Sequence, residues 1–361
     1  MTQLLDRIES RLSIERDEFV RAELLGTKAA YLGRIGRSEE AREIIRTIRQ
    51  TFNDGRSGRV TCVILVAEGV IQYHAFKNQA ALDKFARALL LAEATKHPDL
   101  IGICAAWKAF IDFDLSRFES MQRSLLLFRD LGLERDHAVQ SRVAVTLMTG
   151  SILLGRQTAA RKWFHHGHQH AVSEGDLACI DGLLFNRAVF GLARQRVAWS
   201  LSAIDPQLCA AIRAELQSAR NLQNMAGITT MRGHIDLCVA RLDLMEGNAN
   251  AAIEGLARID AIDQFAGKHL NSTALAIDRL YAMVTASREV DAAAEMSALD
   301  VSALETLDPD ERLVAMTMLV RLSDLLPGAI DATALRTRLE GARVDYEEFE
   351  KRLLTAVSSW L

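Results

Sequence analysis

The chain has 361 residues, with 43 lysines and arginines against 47 aspartates and glutamates, which gives a formal charge of −4. General nucleic-acid-binding proteins normally carry a strong basic excess, so this balance argues against that class of partner. Apolar residues make up 49% of the sequence and only four residues are proline, a composition that favours helices over strands.

Signals for export and for membrane insertion are weak in this sequence. The first residues lack the basic stretch and apolar run of a secretory signal peptide. The apolar segments 60–67 and 143–155 are too short to cross a bilayer. Five cysteines, an odd number without a C-x-x-C pair, indicate small buried core residues and no disulfide framework. We therefore expect a cytoplasmic protein with no membrane partner.

Two Asp-Pro pairs mark expected helix starts. Asp205 and Asp308 are each followed by proline, which places an N-cap residue before a proline in the first helical turn. Between such marks apolar residues recur at intervals of three and four, without sustained alternation. This pattern predicts helices throughout the chain and no strand.

A repeat of about forty residues runs through most of the sequence. Its signature is four small or apolar residues at spacings of twelve, four and three, as in Gly69, Ala81, Phe85 and Ala88. The second residues of the seven copies are Ala41, Ala81, Met121, Ala160, Ile212, Ala252 and Ala292, at successive steps of 40, 40, 39, 52, 40 and 40. The longest step, of 52 residues, requires an insertion, which we place around residues 194–206. A fixed period of this size is typical of proteins built from repeated helix pairs.

The first copies resemble tetratricopeptide repeat (TPR) units. The residues that carry the resemblance are Ala67, Glu68, Gly69, Tyr73, Ala81, Phe85, Ala88 and Pro98, together with the segment 30–41. The resemblance implies an all-α fold, a right-handed α-solenoid of about eight antiparallel helix pairs, over residues 1–328. A short leading helix is expected at 2–13. Since the period is about forty and not thirty-four, a HEAT-like or other helical-pair solenoid is an alternative.

The last segment, 329–361, predicts a long helix of different character. Its apolar residues step by four and three through Leu335, Leu339, Ala342, Tyr346, Phe349, Leu353, Ala356 and Trp360. Such a stripe suits a C-terminal capping helix that covers the end of the solenoid, or else the seam of a homodimer. The helix also carries the densest acidic run, at 345–350, which is a solvated face or a self-association segment.

In TPR solenoids the first helix of each pair lines the concave face, and this implies a groove in the present chain. The implied groove positions are Glu23, Tyr73, Phe110, Arg142, Thr149, Arg194, His234, Arg241, Tyr281 and Arg321. Several are arginines from separate units, and arginine forks suit acidic side chains or the terminal carboxylate of a peptide. Because 35 of the 43 basic residues are arginine, an ordinary solvated face is the competing interpretation.

A histidine-rich segment at 163–170 is a weak candidate metal site. His166 and His170 are four residues apart and would share one helical face. Zinc requires three or four convergent ligands, which one helical line supplies poorly, so a solvated outer face is the simpler interpretation. Segment 150–158 has the glycine spacing of a phosphate loop but arginine in place of its lysine, and the common catalytic motifs are absent from the sequence.

These features predict a non-catalytic scaffold that binds a protein or peptide in its concave groove, without a cofactor, as a cytosolic regulator or adaptor. A second hypothesis is a ligand- or peptide-sensing regulator whose solenoid changes shape on binding. Peptide-receptor regulators of quorum-sensing type resemble the chain in size and in their long TPR-like units. A third is a metal-dependent enzyme that uses the histidines at 165–170.

Overall fold

The computed structural model describes residues 3–52, 57–133, 135–260, 272–328 and 331–361, and every regular element in these ranges is a helix. The α-helices are α1 (Gln3–Ile14), α2 (Glu18–Arg34), α3 (Ser38–Thr51), α4 (Gly58–His74), α5 (Asn78–Ala94), α6 (Pro98–Asp114), α7 (Phe118–Asp130), α8 (His137–Leu153), α9 (Gln157–Glu174), α10 (Leu177–Ser200), α11 (Pro206–Ala226), α12 (Arg232–Met245), α13 (Ala249–Asp260), α14 (Ser272–Thr285), α15 (Glu289–Met296), α16 (Pro309–Leu325) and α17 (Ala332–Val357). Short 3-10 helices lie at Val301–Thr306 and Ser358–Trp360. The all-α prediction is confirmed. Within the described ranges, no helix combines the length and apolar character needed to span a membrane.

The helices pack in consecutive pairs, α2 with α3, α4 with α5, and so on to α16 with α17. The first helix of each pair also contacts the first helix of the next pair, from α2 against α4 to α14 against α16. These even-numbered helices therefore form a continuous row, and each carries its own partner helix beside it.

The seven repeat copies mark the contacts within these pairs. Their second residues, from Ala41 to Ala292, are no more than 4% exposed. At Gly69 an added Cβ would lie 2.7 Å from Cε1 of Phe85, so α4 and α5 cross too closely for a larger residue there. The 52-residue step coincides with the 24-residue α10, the 21-residue α11 and the connection 201–205 between them.

The two Asp-Pro pairs behave differently in the structure. The carboxylate of Asp205 accepts hydrogen bonds from the backbone N–H groups of Gln207 and Leu208 at 2.9 and 3.1 Å, as an N-cap should. Asp308 occupies the same position before α16, but its side chain makes no capping hydrogen bond. The carboxyl group of Asp308 instead lines a cleft, so its expected capping role is wrong.

The N-terminal helix pair lies against the middle of the chain. The backbone N–H of Thr229 donates to the carbonyl of Ile35 at 3.1 Å, and the hydroxyl of Thr230 donates to the carbonyl of Arg34 at 2.9 Å. Arg34 also forms an ion pair with Asp176, the N-cap residue of α10. These contacts join the end of α2 to the segments before α10 and α12.

The C-terminal helix α17 uses its apolar stripe within the chain. It packs along α16 and also contacts α7 and α8. Leu353 lies in one core cluster with Phe118 and Leu147, and the indole N–H of Trp163 donates to the carbonyl of Trp360 at 3.1 Å. The domain boundary predicted at 328/329 adjoins residues 329–330, which lie outside the described residues.

Candidate functional site

A cleft lies along the row of even-numbered helices, and we call it the inner cleft. Its main chamber, about 300 Å³, is lined from α4, α6, α10, α12 and α16 among others. A smaller space of about 50 Å³ adjoins it, and the two share Tyr73, Phe185, Asn186 and Met231. A further chamber of about 240 Å³ shares Asp308 and Asp310 with the main one.

The smaller space, which we call the arginine end, contains a buried guanidinium group without a counter-ion. Arg142 on α8 is 8% exposed, and its guanidinium carbon lies 4.1 Å from the ring centroid of Trp107. Its Nε is buried without a hydrogen-bond partner, and no carboxylate of the described residues forms an ion pair with it. Burial lowers the pKa of Arg142. An unpaired buried charge of this kind is costly for the folded chain.

Two further polar residues at the arginine end have unsatisfied atoms. His74 has a buried Nδ1 without a partner, and burial, with the charges of Arg34 and Arg142, lowers the pKa of His74 to about 3. Its imidazole is therefore neutral at pH 7. Asp181 accepts a hydrogen bond from Gln223 at 3.2 Å, but its other carboxyl oxygen has none, and burial raises the pKa of Asp181 to about 7.

Three carboxyl groups converge on the main chamber, at what we call the aspartate end: Asp114, Asp308 and Asp310. Burial, together with the charge of Asp308, raises the pKa of Asp114 to about 7. Burial and the charges of Asp308 and Glu311 raise the pKa of Asp310 to about 7. Asn78 donates to Asp114 at 3.3 Å, but no lysine or arginine in the described ranges forms an ion pair with any of the three.

The neighbouring chamber contains a charge network whose members satisfy one another. Arg196 binds Asp278 and Glu311, both at 2.7 Å, and Arg241 binds Asp278 at 2.9 Å and also pairs with Glu311. Burial opposes ionisation of Glu311, but the charges of Arg196 and Arg241 outweigh it and lower the pKa of Glu311 to about 2. The network joins α10, α12, α14 and α16.

Five of the ten predicted groove positions line the inner cleft, namely Tyr73, Phe110, Arg142, His234 and Arg241. The ring of Phe110 lies 5.5 Å from that of Tyr73. Arg241 is fully engaged in the charge network. Of the predicted arginines, Arg142 alone combines a place in the cleft with an unpaired guanidinium, within the part of the chain that the structure describes.

The other two predicted arginines serve contacts between helices. Arg194 donates to the carbonyl of Leu153 at the end of α8 and lies 3.5 Å from Glu350. Arg321 donates to the carbonyl of Ser200 at 2.7 Å. Both guanidinium groups thus satisfy carbonyls near helix C-termini, where positive charge is favourable.

The three remaining predicted groove positions also have partners within the chain, and Glu23 forms an ion pair with Arg59 at 2.8 Å. The hydroxyl of Thr149 donates to the carbonyl of Val145 at 2.7 Å in the same helix. Tyr281 packs edge-on against Trp199, with ring centroids 5.3 Å apart. None of the three lines the chambers described above.

The aspartate end is not among the sites predicted from the sequence. Asp114 lies at the C-terminus of α6 and Asp310 in the first turn of α16, almost two hundred residues later. An acidic residue in the first turn of a helix is ordinary, so Asp310 does not stand out in the sequence, and Asp308 has the position of a cap. One signal in the sequence does indicate this site. Asp308, Asp310 and Glu311 lie within one helical turn, and Arg312 is the basic residue next to them.

The histidine-rich segment makes contacts with α8. Nε2 of His166 lies 2.7 Å from the amide oxygen of Gln140, and Nδ1 of His170 lies 2.9 Å from Nδ1 of His137. Burial lowers the pKa of both His166 and His170. In the described ranges, no group of three or more His, Cys, Asp or Glu residues is arranged to hold a metal ion.

No protein-family model, no curated protein and no solved structure matches the chain. The inner cleft combines an unpaired cation, at Arg142, with unpaired carboxyl groups at its other end.

The buried carboxyl groups predict a stability that decreases as the pH rises. The pKa values of Asp114, Asp181 and Asp310 are about 7 in the folded chain, against about 4 for an unfolded aspartate. Their protonated forms stabilise the fold fully below pH 4, and that contribution is lost as the pH rises through 7. We expect Asp310→Asn to remove about 1–2 kcal/mol of the decrease between pH 5 and 8, measured by urea unfolding.

The exposed variant Asp291→Asn is the control for this measurement, since Asp291 lies outside the cleft. The free energy of unfolding of this variant should decrease with rising pH as it does in the wild type. An Asp310→Asn profile parallel to the wild-type profile would show that Asp310 is ionised at no cost in the folded chain.

Proposed function

We propose that this protein is a non-catalytic TPR-like α-solenoid that binds a peptide in its inner cleft and acts as an intracellular regulator or adaptor. The forty-residue period, the TPR-like residues of the first units and the consecutive helix pairs support this proposal. Five unpaired, buried cysteines are consistent with a reducing compartment.

The observation that carries the proposal is the unpaired guanidinium of Arg142. A buried charge without a counter-ion lowers stability, and its retention is explained by a ligand that supplies the missing anion. A peptide C-terminal carboxylate fits the fork of a guanidinium group and accepts two hydrogen bonds from it. Neutral His74 offers a further hydrogen bond to the same group without adding charge.

The shape and lining of the cleft favour a peptide over a small free anion. From the arginine end the cleft continues past Tyr73 and Phe185 into the main chamber. Apolar and aromatic walls with a few placed polar groups are typical of pockets that bind organic ligands. A carboxylate held by Arg142 would thus have room for the residues that precede it.

The test uses a pool of pentapeptides of apolar and aromatic residues with one lysine each, offered with a free or an amidated C-terminus. We expect the wild-type chain to retain the free-carboxylate pool, and Arg142→Met to bind it roughly 10- to 100-fold more weakly. Equilibrium dialysis with mass spectrometry measures the retention. The unfolding free energy of Arg142→Met should be unchanged or higher, because a buried charge is removed and a thioether can pack on Trp107.

The matched control is Arg161→Met, which removes an exposed arginine from α9. It should bind the pool as the wild type does. Equal retention of the amidated pool, or undiminished binding by Arg142→Met, would exclude carboxylate recognition at the arginine end.

A second candidate function, a sensor that changes shape on binding, has one observation in its favour. Tyr73 on α4 and Asp310 on α16 line the same chamber, although they come from opposite halves of the chain. A ligand that contacts both would hold the two halves together. A smaller radius of gyration in X-ray scattering after addition of the peptide pool would favour a sensor, and an unchanged radius would favour a rigid adaptor.

A further inference from the structure

We propose that the aspartate end, formed by Asp114, Asp308 and Asp310, binds a cationic group, an ammonium or a guanidinium, of the ligand that occupies the inner cleft. The ligand would then be a zwitterionic peptide, with its carboxylate at Arg142 and a basic group at the three carboxyl groups. The aspartate site stands on its own residues, while its assignment to one peptide rests on the proposed function.

None of the three carboxyl groups forms an ion pair with a lysine or arginine of the described residues, although basic side chains lie close by in the fold. Glu311 follows Asp310 directly and pairs with both Arg196 and Arg241. Within the described ranges, no lysine, arginine or histidine forms an ion pair with Asp308 or Asp310. The neighbouring network shows how this fold neutralises other carboxylates of the cleft. Asp114 and Asp310 are half-buried and Asp308 is exposed, and none of the three takes part in that network.

The side chain of Asp308 faces the main chamber and does not cap the helix that follows it. It occupies the N-cap position of α16, where an aspartate side chain ordinarily accepts hydrogen bonds from the first backbone N–H groups. Here no such bond forms, and the residue lines the main chamber. Capping is worth about 1 kcal/mol, so a carboxylate that forgoes it is available to a ligand.

The cleft is continuous between the arginine end and the aspartate end. Tyr73, Phe185 and Asn186 line both the smaller space and the main chamber. In the smaller space, Arg142 has a buried Nε and Asp181 a buried carboxyl oxygen without a partner. Burial raises the pKa of Asp181 to about 7, so below that pH its carboxyl group is mostly protonated and Arg142 is the charged group of this end. The cleft thus has an arginine at one end and carboxyl groups at the other. This arrangement is complementary to a molecule that carries both a carboxylate and a basic group.

The charges of the aspartate end should distinguish ligands that carry a basic group from neutral ligands. Burial raises the pKa of Asp114 and of Asp310 to about 7, so ionising both in the empty cleft is unfavourable. A cationic group would stabilise the ionised forms, whereas a neutral ligand would cover them and leave them without hydration. A peptide without a basic group should therefore bind more weakly, even if its carboxylate reaches Arg142.

The experiment compares three forms of the lysine-containing pentapeptide pool. The first has free termini, the second has its amino groups acetylated, and the third has an amidated C-terminus. We expect the wild-type chain to retain the second form at least 10-fold less than the first. In the double variant Asp114→Asn with Asp310→Asn this preference should disappear, while Asp291→Asn should keep it.

The outcomes separate this inference from the proposed function. Equal retention of the first and second forms, with loss of the third, overturns the aspartate site and leaves carboxylate binding at Arg142. Loss of the second form with full retention of the third supports the aspartate site and overturns the proposed role of Arg142. Retention of none of the forms overturns both. Urea unfolding at pH 8 checks that the double variant is folded, and we expect it to be at least as stable as the wild type.

Discussion

Replacement of Asp278 by alanine is expected to lower the free energy of unfolding by about 3–5 kcal/mol. Asp278 is 1% exposed and receives Arg196 at 2.7 Å and Arg241 at 2.9 Å. Its removal would leave two buried guanidinium groups with Glu311 as their shared acidic partner in the network. Most of the loss would come from the uncompensated charge, because the desolvation of the arginines remains when their partner is gone.

Urea unfolding at pH 7 measures this loss, and Asp291→Ala is its control. Asp291 pairs with Arg288 on the exposed surface of α15, where an ion pair contributes about 0–1 kcal/mol. A loss at Asp278 no greater than that at Asp291 would show that water reaches the network. The same network should persist in acid, because its stabilisation is present above about pH 4.5 and declines only towards the pKa of Glu311, about 2.

Replacement of Leu353 by alanine should cost about 2–5 kcal/mol of unfolding free energy. Leu353 is fully buried, at 0% exposure, among residues of α7 and α8 that include Phe118 and Leu147. Truncation removes contacts on several sides and leaves a cavity that rigid helices can fill only in part. The adjacent Leu354 is 37% exposed, so Leu354→Ala is a matched control with a small expected effect.

The Leu353 variant also distinguishes the two interpretations of the C-terminal stripe. If α17 packs within its own chain, the stability loss is the same at every protein concentration. If the stripe joined two copies, the midpoint of unfolding would shift with concentration in the wild type and less so in the variant. Urea unfolding at two concentrations tenfold apart, with sedimentation of the native protein, decides between them.

The helices and the residues buried between paired helices could be predicted from the sequence because both depend on local spacing. Apolar residues at intervals of three and four define one face of a helix wherever they occur. The repeat register marks Gly69 and Phe85 as positions that recur in each unit, and in the structure these two residues lie where α4 and α5 cross closely. The capping side chain of Asp205 was predicted correctly for the same reason.

The candidate site could be predicted only in part. Arg142 and Tyr73 were found because they share the inward face of their helices at repeat positions. Arg194 and Arg321 occupy equivalent repeat positions, but they bind carbonyls at helix ends. Arginine forms both kinds of contact equally well, and its sequence neighbours do not reveal which partner it meets.

The sequence by itself determined that the chain is helical, where its repeat units pair, and which small residues lie between the paired helices. These properties follow from periodicity over tens of residues. Only the tertiary structure decided which charges are neutralised and which face the inner cleft. Arg241 binds Asp278, 37 residues away in the sequence, and Asp114 lines the same chamber as Asp308, which is far more distant in the sequence. Pairing of that kind depends on how distant helices are placed together, and burial then sets its strength, because desolvation turns an ordinary surface charge into a group that requires a partner.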